Sequence, residues 1–177
     1  MSRWRRSIVA VFVIAMVTHV GGVWAAPRVI MLVVTHEGAK LSGVNQFSHP
    51  PLPTAEDRTI VRPSPDFAYS VCVLDLSAGP VRLQVPLTPP YTSVALFSSA
   101  TDNYFVRNDR DAEGRPLDVI VVAAGRARPA HPPSGVEIVE APSDAGLVLV
   151  RRVVERADAF SAIDVVRRQA TCADYRE

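Results

Sequence analysis

Apolar and polar positions follow different rhythms along the chain. The first is an apolar run, led by Arg3, Arg5 and Arg6 and extending from Ile8 to about Val20. Carried on to Ala26, it approaches the roughly 20 residues that a membrane-spanning helix requires. The stretch 28-RVIMLVVTHEGAKLSG-43 keeps a helical character beyond it and predicts a stop at Gly43. A proline-rich connector, 44-VNQFSHPPLPTAEDR-58, predicts an extended path over the surface.

From Thr59 the rhythm changes. Short runs rich in Val, Leu and Tyr alternate with turn residues: 59-TIVR-62, 68-AYSVCVLDL-76, 80-PVRLQV-85, 91-YTSVALFS-98, 103-NYFV-106, 117-LDVIVVAA-124, 136-VEIVE-140 and 146-GLVLVRRV-153. Spaced at about ten residues, they predict a mainly β fold, a largely antiparallel β-sandwich or jelly-roll-like domain. The loop 125-GRARPAHPPSG-135 reads as solvated. In 155-ERADAFSAIDVVRRQATC-172 the period becomes helical. Phe160, Ile163, Val166 and Ala170 mark one face of a C-terminal amphipathic helix, and Arg167 and Arg168 suit its dipole. The chain divides into a transmembrane anchor or signal segment (1–26), a helix with its connector (27–58) and a β-domain (59–177).

Composition fits a folded chain of 177 residues, 48% hydrophobic and 21% charged. A net charge of +1 gives no broad attraction to nucleic acid, so none is expected as a partner. The 15 prolines outnumber the 9 glycines and lie mostly between apolar runs, which favours short strands over helices. The leading arginines stay inside and the body is exported. The expected location is therefore a single-pass bacterial inner-membrane protein, held through residues 8–26 with its C-terminal domain in the periplasm. The alternative is secretion after cleavage near Ala25, where Val23 and Ala25 satisfy the small-residue rule. In an oxidising compartment Cys72 and Cys172 are either a disulfide closing a loop of about 100 residues, or separate small apolar residues.

Chemistry is sparse. The chain has no G-x-S-x-G elbow, no C-x-x-C and no glycine-rich phosphate loop. His19, His36, His49 and His131 are scattered, so neither a metal site nor a cofactor is expected. What remains are the charges of 61-VRPSPDFAYSVCVLDLSAGP-80, set in a segment otherwise built like a buried strand. Arg62, Asp66 and Tyr69, with Asp102 and Asn103 further on, are the candidate ligand-binding residues. Asp66 and Tyr69 are the candidates for moving protons. The competing reading is architectural: Pro63 and Pro65 stiffen the approach to the strand, Arg62 pairs with Asp66 or Asp75, and Asp66 and Asp75 cap backbone amides.

The run Val61 to Pro80, with Val44-Asn45 and His49 upstream and 101-TDNYFVRND-109 downstream, resembles the DUF1254 family, named only as a domain of unknown function. The resemblance implies a predominantly β fold and, in larger relatives, a following DUF1214 domain that this chain lacks. A separately encoded DUF1214-type protein is then a possible companion. Where larger members read P-N-x-D-T-x-Y, this chain carries Ser64 for the asparagine and Phe67-Ala68 in the threonine region, which puts any ligand role of those residues in doubt. The expected function is a membrane-anchored module that binds a partner subunit or a small envelope ligand. The alternative is a hydrolase or lyase acting on a small organic substrate through Arg62, Asp66 and Tyr69.

Overall fold

The computed structural model describes residues 3–58 and 62–176. A helix, α1 (Arg3–Ser42), is followed by strands β1 (Phe47–Ser48), β2 (Phe67–Asp75), β3 (Val81–Val85), β4 (Thr92–Ser98), β5 (Asn103–Asn108), β6 (Leu117–Ala123), β7 (Glu137–Ala141) and β8 (Ala145–Val153). A 3-10 turn (Ala157–Ala159) leads into α2 (Phe160–Arg167), and β9 (Thr171–Asp174) ends the fold. Among the described residues the strands form two sheets, in the orders β1-β2-β8-β4-β5 and β7-β6-β3-β9. All pairs are antiparallel except β6–β7, whose parallel pairing requires the 125–135 loop to cross over.

Alternation builds the core. Cys72 and Leu74 of β2, Val148 and Val150 of β8, and Val94 and Leu96 of β4 face Val81, Leu83 and Val85 of β3 and Val119 and Val121 of β6. These side chains are 0–1% exposed, so the two sheets form a sandwich around one apolar layer. Cys72 of one sheet and Cys172 of the other form a disulfide inside that layer, across a sequence separation of 100 residues.

α1 runs without interruption through Pro27. It is long and apolar enough to cross a membrane, as an anchor or a signal segment would be. Its final turns are part of the domain. Met31 is buried, and Gly38 approaches β2 so closely that a Cβ there would lie 2.9 Å from the Val73 side chain. Gly43, with φ of 78°, ends the helix by donating its N–H to the Ala39 carbonyl at 2.8 Å. Asn45 then acts as a short strand. Its N–H donates to the Val73 carbonyl, its amide donates to the Asp75 carbonyl, and its Oδ1 accepts the Asp75 N–H, at 2.8, 2.9 and 2.9 Å.

The structure departs from the sequence pattern in three places. The C-terminal helix is shorter than 155–172: it stops at Arg167, Ala170 is buried beyond it, and Thr171–Asp174 is a strand on β3. Ladder pairing to β3 and the cross-sheet disulfide outweigh the weak helix propensity of these residues. The connector hides β1, which pairs with Val71 and Cys72. In the expected strand 59-TIVR-62, residues 59–61 lie outside the described residues, and Arg62 is irregular with φ of 47°.

Joining the sheets covalently across a loop this long is expected to contribute about 2–5 kcal/mol. Urea unfolding of the Cys72→Ala/Cys172→Ala protein should show that loss, and amides of β9 should exchange faster. Midpoints unchanged by the substitution would show that the crosslink adds nothing to stability.

Candidate functional site

The residues nominated from sequence separate into two groups. Arg62, Asp66 and Tyr69 lie at the Phe67 end of β2. Arg62 and Asp66 are exposed. Arg62, Ser64 and Arg58 line a cleft of ≈ 280 Å³, to which neither Asp66 nor Tyr69 contributes. The Tyr69 hydroxyl accepts the Ser64 N–H at 3.0 Å, and the Asp66 carbonyl accepts the Val154 N–H at 2.8 Å. Among the described residues no ion pair joins Arg62 to Asp66 or Asp75. Asp75 instead accepts the Ser77 N–H at 2.9 Å, and Ser77 holds its carboxyl below the usual carboxylate range.

Asp102 and Asn103 belong to the other end. Asn103 is opposite Phe97, Phe97 opposite Leu147, and Leu147 opposite Val73. Four residues along β2 and three strands across separate Asn103 from Tyr69, about 13 Å and about 14 Å respectively. The Asp102 carboxylate accepts the Ser98 hydroxyl at 3.0 Å and closes the β4–β5 turn. The five residues do not converge on one pocket.

A different cluster does form at the Phe67 end. On the inner face of the β2-β8-β4 sheet, Arg152 is opposite both Ala68 and Thr92, next to the inward Ser70. Its guanidinium is 2% exposed. Nη2 donates to the Pro86 carbonyl at 2.8 Å, while the buried Nε and Nη1 have no partner. Arg167, 1% exposed, reaches in from α2. Its Nη1 donates to the Pro50 and Tyr69 carbonyls, both at 2.8 Å, and its Nε donates to Asp164 at 2.5 Å. Arg167 thus takes over the edge of β2 where β1 has ended. A 2.8 Å hydrogen bond joins His49 Nδ1 to the buried Ser70 hydroxyl.

The electrostatics agree with this placement. Burial, reinforced by the Arg167 charge, lowers the Arg152 guanidinium to about 10. Burial also lowers His49, followed in effect by Arg167, Arg168 and Arg152, with Asp164 opposing. Asp164 is shared by Arg167 and Arg168. The cluster therefore holds more positive charge than its one carboxylate balances. Such an arrangement attracts anions and disfavours the charged form of His49. Among the described residues no group of three His, Cys, Asp or Glu side chains is placed to hold a metal ion.

A family model described as "Protein of unknown function (DUF1254)" matches residues 44–174. The chain belongs to the DUF1254 family. The match runs from the Asn45 clamp to the last residue of β9 and includes the whole basic cluster. No curated protein matches the chain. Among solved structures, the VPA0106 protein from Vibrio parahaemolyticus is similar, with a TM-score of 0.68 and 14% identity over 86% of this chain and 36% of that one. An uncharacterised protein from Burkholderia cenocepacia has a TM-score of 0.45 and 18% identity over 65% of this chain and 34% of that one. This DUF1254 chain thus spans about a third of the length of either protein. The Vibrio likeness supports the sandwich and carries no activity with it.

The basic cluster was missed in the sequence, although signals for it exist. In 145-AGLVLVRRV-153, the period that turns Val148 and Val150 inward also turns Arg152 inward and Arg151 outward. In α2, Arg167 is seven residues after Phe160 and four after Ile163, on the apolar face and not at a solvated end.

Because folding lowers the proton affinity of His49, the unfolded chain binds that proton more readily. Stability is then expected to fall as pH drops through the unfolded histidine value of about 6.5. His49→Gln should flatten this part of the profile, read as the thermal midpoint between pH 7.5 and 5. An unaltered slope in His49→Gln would assign the effect to other groups.

Proposed function

We propose that this DUF1254 chain is a membrane-anchored module that binds a partner subunit or a small envelope ligand on the periplasmic side and does not turn over a substrate. The observation that carries this reading is the union of α1 with the sandwich. The helix passes from its apolar half into the fold with no linker, through Met31, Gly38 and the Asn45 clamp. Trp4 and Trp24 are both well exposed on α1. At 1.5 Å per residue the 20 steps between them cover about 30 Å, the thickness of a bilayer's hydrocarbon core, with aromatic rings at both margins. Arg28 stacks on Trp24 at 4.1 Å, placing a cation at the outer margin, and Arg3, Arg5 and Arg6 cluster at the other. That arginine cluster favours the inner side for the N-terminus.

A binding role is favoured because the five nominated residues are split between the two ends of the sheet, with Asp66 and Tyr69 outside the cleft that Arg62 lines, whereas the basic cluster is assembled from the connector, β2, β8 and α2. A separately encoded DUF1214-type protein is the companion this reading favours. It would meet a domain already fixed at the bilayer surface.

Carbonate washing of native membranes, external protease treatment and purification in mild detergent test the proposal together. The chain should remain with the membrane, retain residues 1–25, expose its β-domain to protease from the periplasmic side, and co-purify with a stoichiometric DUF1214-type companion or a bound small molecule. A carbonate-soluble chain beginning near Ala26 would overturn the anchor. A stable monomer carrying nothing would overturn the binding role.

A further inference from the structure

We propose that Arg152, with Ser70, His49 and Arg167 around it, is a binding site for a small carboxylate at the Phe67 end of the sandwich. This rests on the binding-module reading and names the chemistry of its ligand. The decisive feature is the pair of unpartnered donors on a fully buried guanidinium. A buried cation is costly unless it is paired and hydrogen-bonded, and an unmade buried hydrogen bond adds to the cost. Arg152 has one carbonyl, that of Pro86, for five N–H groups.

Neighbouring carboxylates are already engaged. Asp164 is held by Arg167 and Arg168, and Asp109 accepts the Thr92 N–H at 3.0 Å. Arg167 has its own acceptors, so it supplies field more than contacts. The Ser70 hydroxyl and the His49 ring, joined by their own hydrogen bond, add further polar groups beside the free N–H groups of Arg152. Asp164 is shared by buried Arg167 and solvent-exposed Arg168, so counting the buried guanidinium groups alone one positive charge is left over, and one monoanionic group neutralises it. A carboxylate matches that charge and the donor geometry of a guanidinium. A phosphate dianion would overshoot the charge and cost more to desolvate.

Other arginines in the fold show what an internally satisfied pair looks like. Arg82 binds Asp118 through Nε at 2.8 Å and Nη2 at 2.7 Å across β3 and β6. Arg107–Glu137 and Arg128–Glu140 are further strand or loop pairs. Arg152, the more deeply buried, has no such carboxylate among the described residues.

The test uses the full-length protein in detergent or nanodiscs, with sodium acetate and sodium succinate as probes and sodium chloride and phosphate at matched ionic strength as references. Acetate or succinate should raise the thermal midpoint saturably by several degrees, and chloride should not. Without carboxylate, Arg152→Met should unfold at the same or a higher temperature, because it removes an unpaired buried charge, and it should lose the carboxylate response. Arg128→Met, altering an exposed pair, should keep the response. In the unaltered protein, the Arg152 Nε–H resonance should move on acetate addition, a readout that needs no substitution. An equal shift with chloride, a response to phosphate alone, a response surviving in Arg152→Met, or an unmoved Nε–H resonance would overturn the site. Any of these would leave membrane retention and companion binding untouched, so the two proposals fail separately.

Discussion

The alternation of β8 is the constraint on which the rest of the molecule depends. This strand is central in the five-stranded sheet, paired over its whole length with β2 on one side and from Gly146 to Arg152 with β4 on the other. Slipping it by one residue would exchange its faces and expose the apolar half. Gly146, Val148 and Val150 face inward, and each meets a different demand. A Cβ on Gly146 would lie 2.4 Å from the Phe97 carbonyl oxygen, so only glycine lets β4 approach. Val148 and Val150 fill the layer against the second sheet. The next inward position is Arg152. The register that makes the core also forces a cation into it.

An unpaired buried cation draws on a marginal stability of which about one or two kcal/mol is already a large fraction, so its cost has to be offset elsewhere. The cross-sheet disulfide is the evident source. It ties β2 to β9 and removes freedom from the unfolded chain over most of the domain's length. Stability held in a covalent link on one part of the inner face allows polar residues at another: Ser70 is one inward position from Cys72 on the same strand. Thr92, fully buried opposite Arg152, donates to the Thr88 carbonyl at 2.7 Å and accepts the Thr88 N–H at 3.3 Å, and no hydrogen bond joins it to the guanidinium.

Much of the fold was legible because alternating strands with proline- and glycine-bearing turns leave a clear period. Strands such as 81–85, 92–98 and 117–123 fall within a residue or two of the boundaries read from pattern alone. Elements set by distant partners were not legible. β9 looks like the end of a helix until Cys172 finds Cys72 and Thr171 finds Gln84. β1 is a two-residue pairing inside a connector with no strand signature. The site was obscured for a related reason. Charged residues near prolines attract notice because they look irregular, whereas Arg152 and Arg167 sit in regular elements at phases that a count of charges ignores. Reading each arginine for its phase in the strand or helix, and not for its charge alone, would have placed both inside.

Strand β2 is where the molecule comes together, for reasons of geometry more than of the charges that flank it. On its outer face, β2 meets the last turns of α1 through Val73 and Gly38. On its inner face it carries Cys72 of the disulfide and Ser70, bonded to His49. Its backbone accepts from Arg167 at Tyr69 and exchanges hydrogen bonds with Asn45 at Asp75. Asp75 and Asp66 serve this junction from its two ends, one by ordering the turn after the strand and the other by lending its carbonyl to Val154. Long apolar helix, covalent link and basic cluster therefore bear on one strand of nine residues. A strand held on both faces and along its open edge has little freedom to shift register, so the spacing between helix and cluster is fixed by the sheet itself.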